Sequence, residues 1–316
     1  MTSIRGRIFS NIMRKNMNMN ASHTKDSAEK LKRQSALFSK DRLPKDVSCE
    51  RETTPNQTRY ERIKKINQKQ TGRVLLYFHG GAYISGLLPA YRNLAPGFFD
   101  ATDGCEVIYL NYHCAPKYLF PTQLNEALDL WEDLTSRQGY DPKQIIVGGD
   151  SAGGNLTLAL LLKLRDLGKT MPRAAFCISA WADMTGSGQS FYENYDKDVM
   201  FGDQGQRLTE ERKEKLLHGQ MYCYIGDADR TSPYISPVFG DYHDFPPMFF
   251  TAGTHEMLLD DTLRIVEKLK ACKVPVTCEL QPGMFHIYVV FARFVPEGKV
   301  SYHRLLHFIH DQFQEA

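Results

Sequence analysis

The sequence has little that would hold it together covalently. Seven cysteines are scattered through 316 residues without a single C-x-x-C pair. An odd count in a chain of this length argues against a disulfide scaffold and points to a reducing, cytoplasmic setting. No apolar run approaches about 18 residues, so no membrane-spanning helix is expected. The N-terminus has no apolar core or small-residue cleavage site of a secretory signal. The net charge is only +2, and nothing global points to a nucleic-acid partner. What is present is a hydrophobic content of 42%, enough for a sizeable core. The length suits one large α/β domain or two ordinary ones.

Charge is unevenly spread. Residues 1–70 hold seventeen Lys and Arg against seven Asp and Glu, and the rest of the chain is net acidic. The asymmetry marks an N-terminal segment distinct from the body. It is expected to pack electrostatically on that body rather than to meet an anionic surface. Ile4, Ile8, Phe9, Ile12 and Met13 recur at helical spacing, and S-A-E-K-L-K-R-Q-S-A-L-F reads as a second helix. The polar run from Cys49 to Lys65 reads as connecting structure.

The pattern changes at Arg73. R-V-L-L-Y-F, E-V-I-Y-L-N-Y, Q-I-I-V-G-G, A-A-F-C-I-S-A, P-M-F-F-T-A-G and V-T-C-E-L-Q are short apolar runs, and helical stretches separate most of them. Strands this apolar are covered on both faces. The alternation predicts an α/β fold with a mostly parallel central sheet flanked by helices. Residues 184–230 are polar and Gly-rich, interrupt the alternation, and are expected to form an insertion on top of the sheet.

Gly149-Asp150-Ser151-Ala152-Gly153 fits G-x-S-x-G. The pentapeptide alone is modest evidence, but a predicted strand precedes it and an apolar helix follows, which is the setting that exposes a nucleophilic serine. Small neighbours let the chain turn sharply there. A serine hydroxyl needs a base, and the base needs an orienting acid. In chain order these should follow the serine, in loops after later strands. His286, in P-G-M-F-H-I-Y, fits the base. Glu256, first after the strand P-M-F-F-T-A-G, fits the acid. Asp260 and Asp261 open the next helix and are better explained by its free N–H groups. The oxyanion of a tetrahedral intermediate needs donors, and the amides of Gly80, Gly81 and Ala152 are the candidates, the first two from F-H-G-G-A-Y. His303, His307 and His310 share a helix face but lack the company of a metal site, and His255-Glu256 fails H-E-x-x-H at Leu259. No metal or cofactor is expected.

Taken together, these residues resemble the hormone-sensitive-lipase-like family of α/β-hydrolase esterases. The resemblance runs from about Arg73 to the C-terminus through H-G-G-A-Y, Y-H-C-A-P-K-Y-L-F-P, G-D-S-A-G-G-N, S-A-W-A-D-M-T-G-S-G-Q-S, S-P-Y-I-S-P-V, E-M-L-L-D-D and G-M-F-H-I-Y. It implies Ser151 as nucleophile, His286 as base, Glu256 as acid and the same three oxyanion donors. The family more often has Asp where Glu256 stands. Lys117 and His113 replace the usual Glu and Arg of their segment, which is expected to loosen a local ion pair. The resemblance also implies an N-terminal helical cap over residues 1–70, a catalytic domain over 71–316, and a contribution to the cap from 184–230. The expected activity is hydrolysis of short-chain acyl esters or small lactones through an acyl-enzyme. An amidase or deacetylase on the same residues, a lipase acting at lipid droplets and a small-ligand binding module are the rivals. The expected partner is a small-molecule ester, and a homodimer is allowed. Tyr83 and Phe285, beside the motifs, are expected to line the pocket.

Overall fold

The strands are β1 (Val47–Thr53), β2 (Arg59–Lys65), β3 (Val74–Phe78), β4 (Glu106–Leu110), β5 (Ile145–Asp150), β6 (Ala174–Ile178), β7 (Met248–Gly253) and β8 (Val276–Gln281). The computed structural model describes residues 2–17, 40, 42–69 and 71–314. Helices longer than one turn are α1 (Ile4–Met17), α2 (Ala95–Ala101), α3 (Thr122–Glu132), α4 (Ala152–Asp166), α5 (Glu210–Leu217), α6 (Leu259–Ala271) and α7 (Pro296–Gln314). One sheet takes the eight strands in the order β1-β2-β4-β3-β5-β6-β7-β8. From β4 to β8 every pairing is parallel, and β1 and β2 are added antiparallel at one edge.

Strand β3 shows why the sequence runs are apolar throughout. All five of its residues are buried. Val74, Leu76 and Phe78 pack with residues of α3 and α4, while Leu75 and Tyr77 pack with residues of α2 and α7. With a helical layer on each face, neither set of alternate side chains meets water. Helix α6 covers the far end of the sheet beside β6 and β7. The carboxyl ends of β3, β5, β6, β7 and β8 then lie along one edge, where their outgoing loops gather. The insertion between β6 and β7 carries the turn Ser190–Glu193, α5 and the 3-10 turn Gln220–Ile225. Among the described residues no helix is long and apolar enough to cross a membrane.

The run from Cys49 to Lys65, expected as connecting structure, instead forms most of a β-hairpin. Strand β2 pairs with β4, so the sheet begins at Val47 and the residues up to 70 are not all helical. The polar residues are the reason for the difference. Glu61 and Arg62 are buried, and a buried charge normally argues against a strand. Here each is matched. Arg62 donates to Glu52 and Glu106, to Gln138 Oε1 at 2.7 Å and to the Tyr140 hydroxyl at 3.0 Å. Arg92 donates to Glu61 at 2.8 Å. Helix α1 forms as its spacing predicts, and the second predicted helix, residues 27–38, lies outside the described residues.

Candidate active site

Strand β5 ends at Asp150 and α4 starts at Ala152, which leaves Ser151 alone to make the turn. It does so at φ +54°, ψ −119°, a conformation that side-chain-bearing residues rarely adopt. Three main-chain hydrogen bonds hold it there. The Ser151 amide donates to Ile178 O at 2.9 Å, and its carbonyl accepts from Asn155 at 3.0 Å and Trp181 at 3.1 Å. The glycine at 153 is a requirement of space, because a Cβ there would lie 2.0 Å from Phe78 O.

Ser151, His286 and Glu256 come together from three loops. His286 Nε2 is 2.9 Å from Ser151 Oγ, and His286 Nδ1 is 2.9 Å from Glu256 Oε2. All three side chains are buried, so their mutual contacts are shielded from water. The other Glu256 oxygen accepts from the Gly253 amide and from Ser179 Oγ, the latter at 2.8 Å. Ser179 Oγ in turn accepts from the Ile287 amide at 3.0 Å. One hydroxyl therefore braces the acid and the residue after the histidine. Nothing in A-A-F-C-I-S-A marked this serine, because its role exists only once β6, β7 and the β8 loop are adjacent. Asp198 was also missed. It accepts from the amides of Met200, Phe201 and Met257 at 2.8, 3.0 and 2.8 Å. That holds the Phe201 ring centroid 4.7 Å from the His286 ring.

Asp260 and Asp261 do not reach His286. Asp261 accepts from the amides of Ala182 and Asp183, at 2.7 and 2.8 Å, and Asp260 from the amide of Ser190 at 2.8 Å. They serve the insertion's first loop rather than the N–H groups of their own helix.

The oxyanion expectation needs one correction. The Gly80 amide is already engaged, donating to Asp150 Oδ1 at 3.0 Å and to the Tyr91 hydroxyl at 3.1 Å. Among the described residues the amides of Gly81, Ala82 and Ala152 have no hydrogen-bond partner. Gly81, Ala82 and Tyr83 all have positive φ, at +113°, +52° and +60°. This reverses the chain direction and frees the amides after Gly80. Asp150 now has a physical role. Tyr77 and Tyr91 each donate to it at 2.9 Å, so with Gly80 it ties the β3 loop to the elbow. Burial pushes its carboxyl up to about 6, although the two tyrosines and the Gly80 amide pull it down. His79 is buried and held neutral, its pKa lowered to about 4 by desolvation, and its Nδ1 meets Gly80 O at 2.7 Å.

Two further expectations change. Tyr83 and Phe285 belong to the core: Tyr83 donates to Asn155 Oδ1 at 2.7 Å and stacks on Tyr224, and Phe285 packs against Phe9 and Phe291. The contact expected to be loosened at His113 is kept as hydrogen bonding, since both the His113 amide and its ring meet Glu126. A small apolar cavity of about 20 Å³ lies among Trp181, Phe191, Phe201, Met257 and Leu258, and none of Ser151, Glu256 and His286 lines it. Among the described residues one group could offer three metal ligands, Asp241, His243 and Cys272, and it includes none of the residues just described.

A parallel sheet with a strained serine at the β5–α4 turn, and a histidine and an acid from later loops, defines the α/β-hydrolase class. The family model described as an alpha/beta hydrolase fold matches residues 75–290, and the chain belongs to that family. Within it the chain falls with the hormone-sensitive-lipase-like branch. A solved esterase from the bacterial hormone-sensitive lipase family superposes with a TM-score of 0.85 at 29% identity, covering 99% of both chains. An esterase/lipase from an uncultured bacterium gives 0.83 at 28% identity, again over 99% of both. By sequence the chain is 34% identical to an acetyl-hydrolase of Streptomyces hygroscopicus, over 73% of each chain. It is 32% identical to an esterase of Acinetobacter venetianus, over 76% of this chain and 75% of that one.

Proposed function

We propose that the protein is a serine carboxylic-ester hydrolase that works through an acyl-enzyme. The observation that carries this is the unbroken line Ser151 Oγ, His286 Nε2, His286 Nδ1, Glu256 Oε2, with 2.9 Å at each contact. In this reading His286 takes the Ser151 proton as Oγ attacks the ester carbonyl. Glu256 holds the ring in the tautomer that leaves Nε2 free to accept, and stabilises the imidazolium that forms. The amides of Gly81, Ala82 and Ala152 supply donors for the oxyanion. His286 returns the proton to the leaving alcohol, and water then repeats the sequence on the acyl-enzyme. The names of the relatives, acetyl-hydrolase and esterase, support the same chemistry.

A short acyl group fits best. The acetyl-hydrolase name of one relative supports that size, and the ring of Phe201, 4.7 Å from that of His286, crowds the approach to the base. Helix α1 and residues 184–230 act as the cap over the sheet edge. The seven cysteines are all free thiols, which suits a cytoplasmic setting. A binding module without turnover would have no need of the complete line, and no contact in the site favours an amide over an ester.

The test is covalent. A fluorophosphonate probe labels the wild-type protein, and Ser151→Ala abolishes both labelling and ester turnover with the fold retained. Glu256→Gln lowers kcat by about 10³–10⁴, while Asp260→Asn leaves it within a few-fold. Failure of the folded wild type to label would remove the hydrolase reading, and a large loss in Asp260→Asn would remove Glu256 as the acid.

A further inference from the structure

Helix α1 is fastened along one side only. At its start the Ser3 amide and hydroxyl donate to the Glu297 carboxylate. Phe9 stacks on Phe285 and Phe294, with centroids 6.0 and 5.7 Å away, and Met13 is fully buried. The opposite side carries Ile4, Ile8 and Ile12, which are 70%, 55% and 39% exposed. A spacing of four residues makes them one stripe. Phe294, 56% exposed beside Phe9, adds a further exposed ring next to the helix.

The charges on the helix itself are of one sign. Helix α1 contains Arg5, Arg7, Arg14 and Lys15 and no acid. Among the described residues none of the four makes an ion pair, whereas Arg62 and Lys65, later in the N-terminal segment, pair with Glu106 and Asp100 of the body. On one flank of the helix Arg7, Arg14, Lys197 and His255 line an open cleft. Arg14 gives one hydrogen bond, to Lys197 O at 3.2 Å, while its Nε and Nη1 are buried with no partner. Leaving a charged donor buried and unpaired costs stability, and a phosphate oxygen entering the cleft would satisfy it. The acids nearby are Glu297, which Ser3 engages, and Asp196 and Asp198. The oxygens of Asp198 are taken by the amides of Met200, Phe201 and Met257.

An exposed apolar stripe flanked by unpaired cations is the pattern of a helix that lies in the plane of a lipid interface. A second copy of the chain fits it poorly, because a two-fold contact through α1 would set its cations against themselves. We propose that α1 docks the protein on an anionic phospholipid surface. Ile4, Ile8 and Ile12 enter the interface, and the Arg7–Arg14–Lys197–His255 cleft receives headgroup phosphate. Nothing in this depends on the chemistry of Ser151, and its readout is binding.

The test uses the full chain and extruded vesicles of phosphatidylcholine alone or with about 30 mol % phosphatidylglycerol. The protein is expected to co-sediment with the anionic vesicles and not with the neutral ones, and to bind about tenfold more weakly when salt is raised to about 0.5 M. The double variant Ile4→Glu, Ile8→Glu loses at least about tenfold in binding at an unchanged thermal midpoint, and Arg14→Gln loses a few-fold. Absence of binding to anionic vesicles overturns the proposal, as does a double variant that binds like wild type. A wild-type dimer that the double variant converts to monomer in sedimentation velocity also overturns it, assigning the stripe to a second copy.

Discussion

Ser179 is where a single residue decides how well the site is held. Its hydroxyl donates to Glu256 and accepts from the Ile287 amide, so it fixes the distance between the acid and the loop that carries His286. Ser179→Ala leaves the Ile287 N–H buried and unpaired, at a cost of about 1–3 kcal/mol in stability. It is also expected to lower kcat about tenfold with little change in KM, because the loss falls on orientation of the base rather than on substrate binding. Steady-state kinetics alongside urea unfolding would separate the two effects, and unchanged kcat in a destabilised variant would reduce Ser179 to a packing residue. Ser151, His286 and Glu256 were legible in the sequence because each sits in a short motif at a strand end. Ser179 and the Ala82 amide were not. Their parts depend on which backbone group comes to face them, and local sequence does not encode that.

At the level of elements, the hairpin β1–β2 shows where hydropathy fails. The six parallel strands could be read directly because both faces are covered. Strand β2 buries Glu61 and Arg62, so the run looked like a solvated loop, and only the partners Glu52, Glu106, Gln138 and Arg92 make it a strand. Removing one member of such a set is costly, since the others keep their charge without its match. Arg62→Ala is expected to destabilise the protein by about 3–5 kcal/mol, and adding Glu106→Gln should recover part of that loss. Denaturant midpoints for the single and double variants measure both. Equal midpoints for Arg62→Ala and wild type would mean that the edge hairpin contributes little to the cooperative fold.

For the whole molecule, two buried groups at the elbow pull the pH dependence of stability in opposite directions. Asp150 has its folded pKa raised from 3.8 to about 6, so the native state holds this proton more tightly than the unfolded chain. Through Asp150, stability falls as pH rises from about 4 to 6. His79 is depressed from 6.5 to about 4, so the unfolded chain holds that proton more tightly, and through His79 stability rises over nearly the same window. The wild type therefore shows a muted slope from this pair. Asp150→Asn removes only the opposing part, and its urea midpoint is expected to climb more steeply between pH 4 and 6 than that of the wild type. A flatter profile in the variant would contradict the assignment. The sequence announced neither group as titrating abnormally, because burial at the sheet edge is a property of the assembled fold.

The φ of +54° at Ser151 carries a last consequence. A residue with a side chain held in that region gives up about 1–3 kcal/mol of stability, and the three main-chain hydrogen bonds and the close-packed glycine at 153 keep it there. Glycine at 151 would relax that strain, but it has no hydroxyl to attack with. The nucleophile thus stands at a stability–activity trade-off. A search of variants for robustness alone would favour replacing the proposed nucleophile itself.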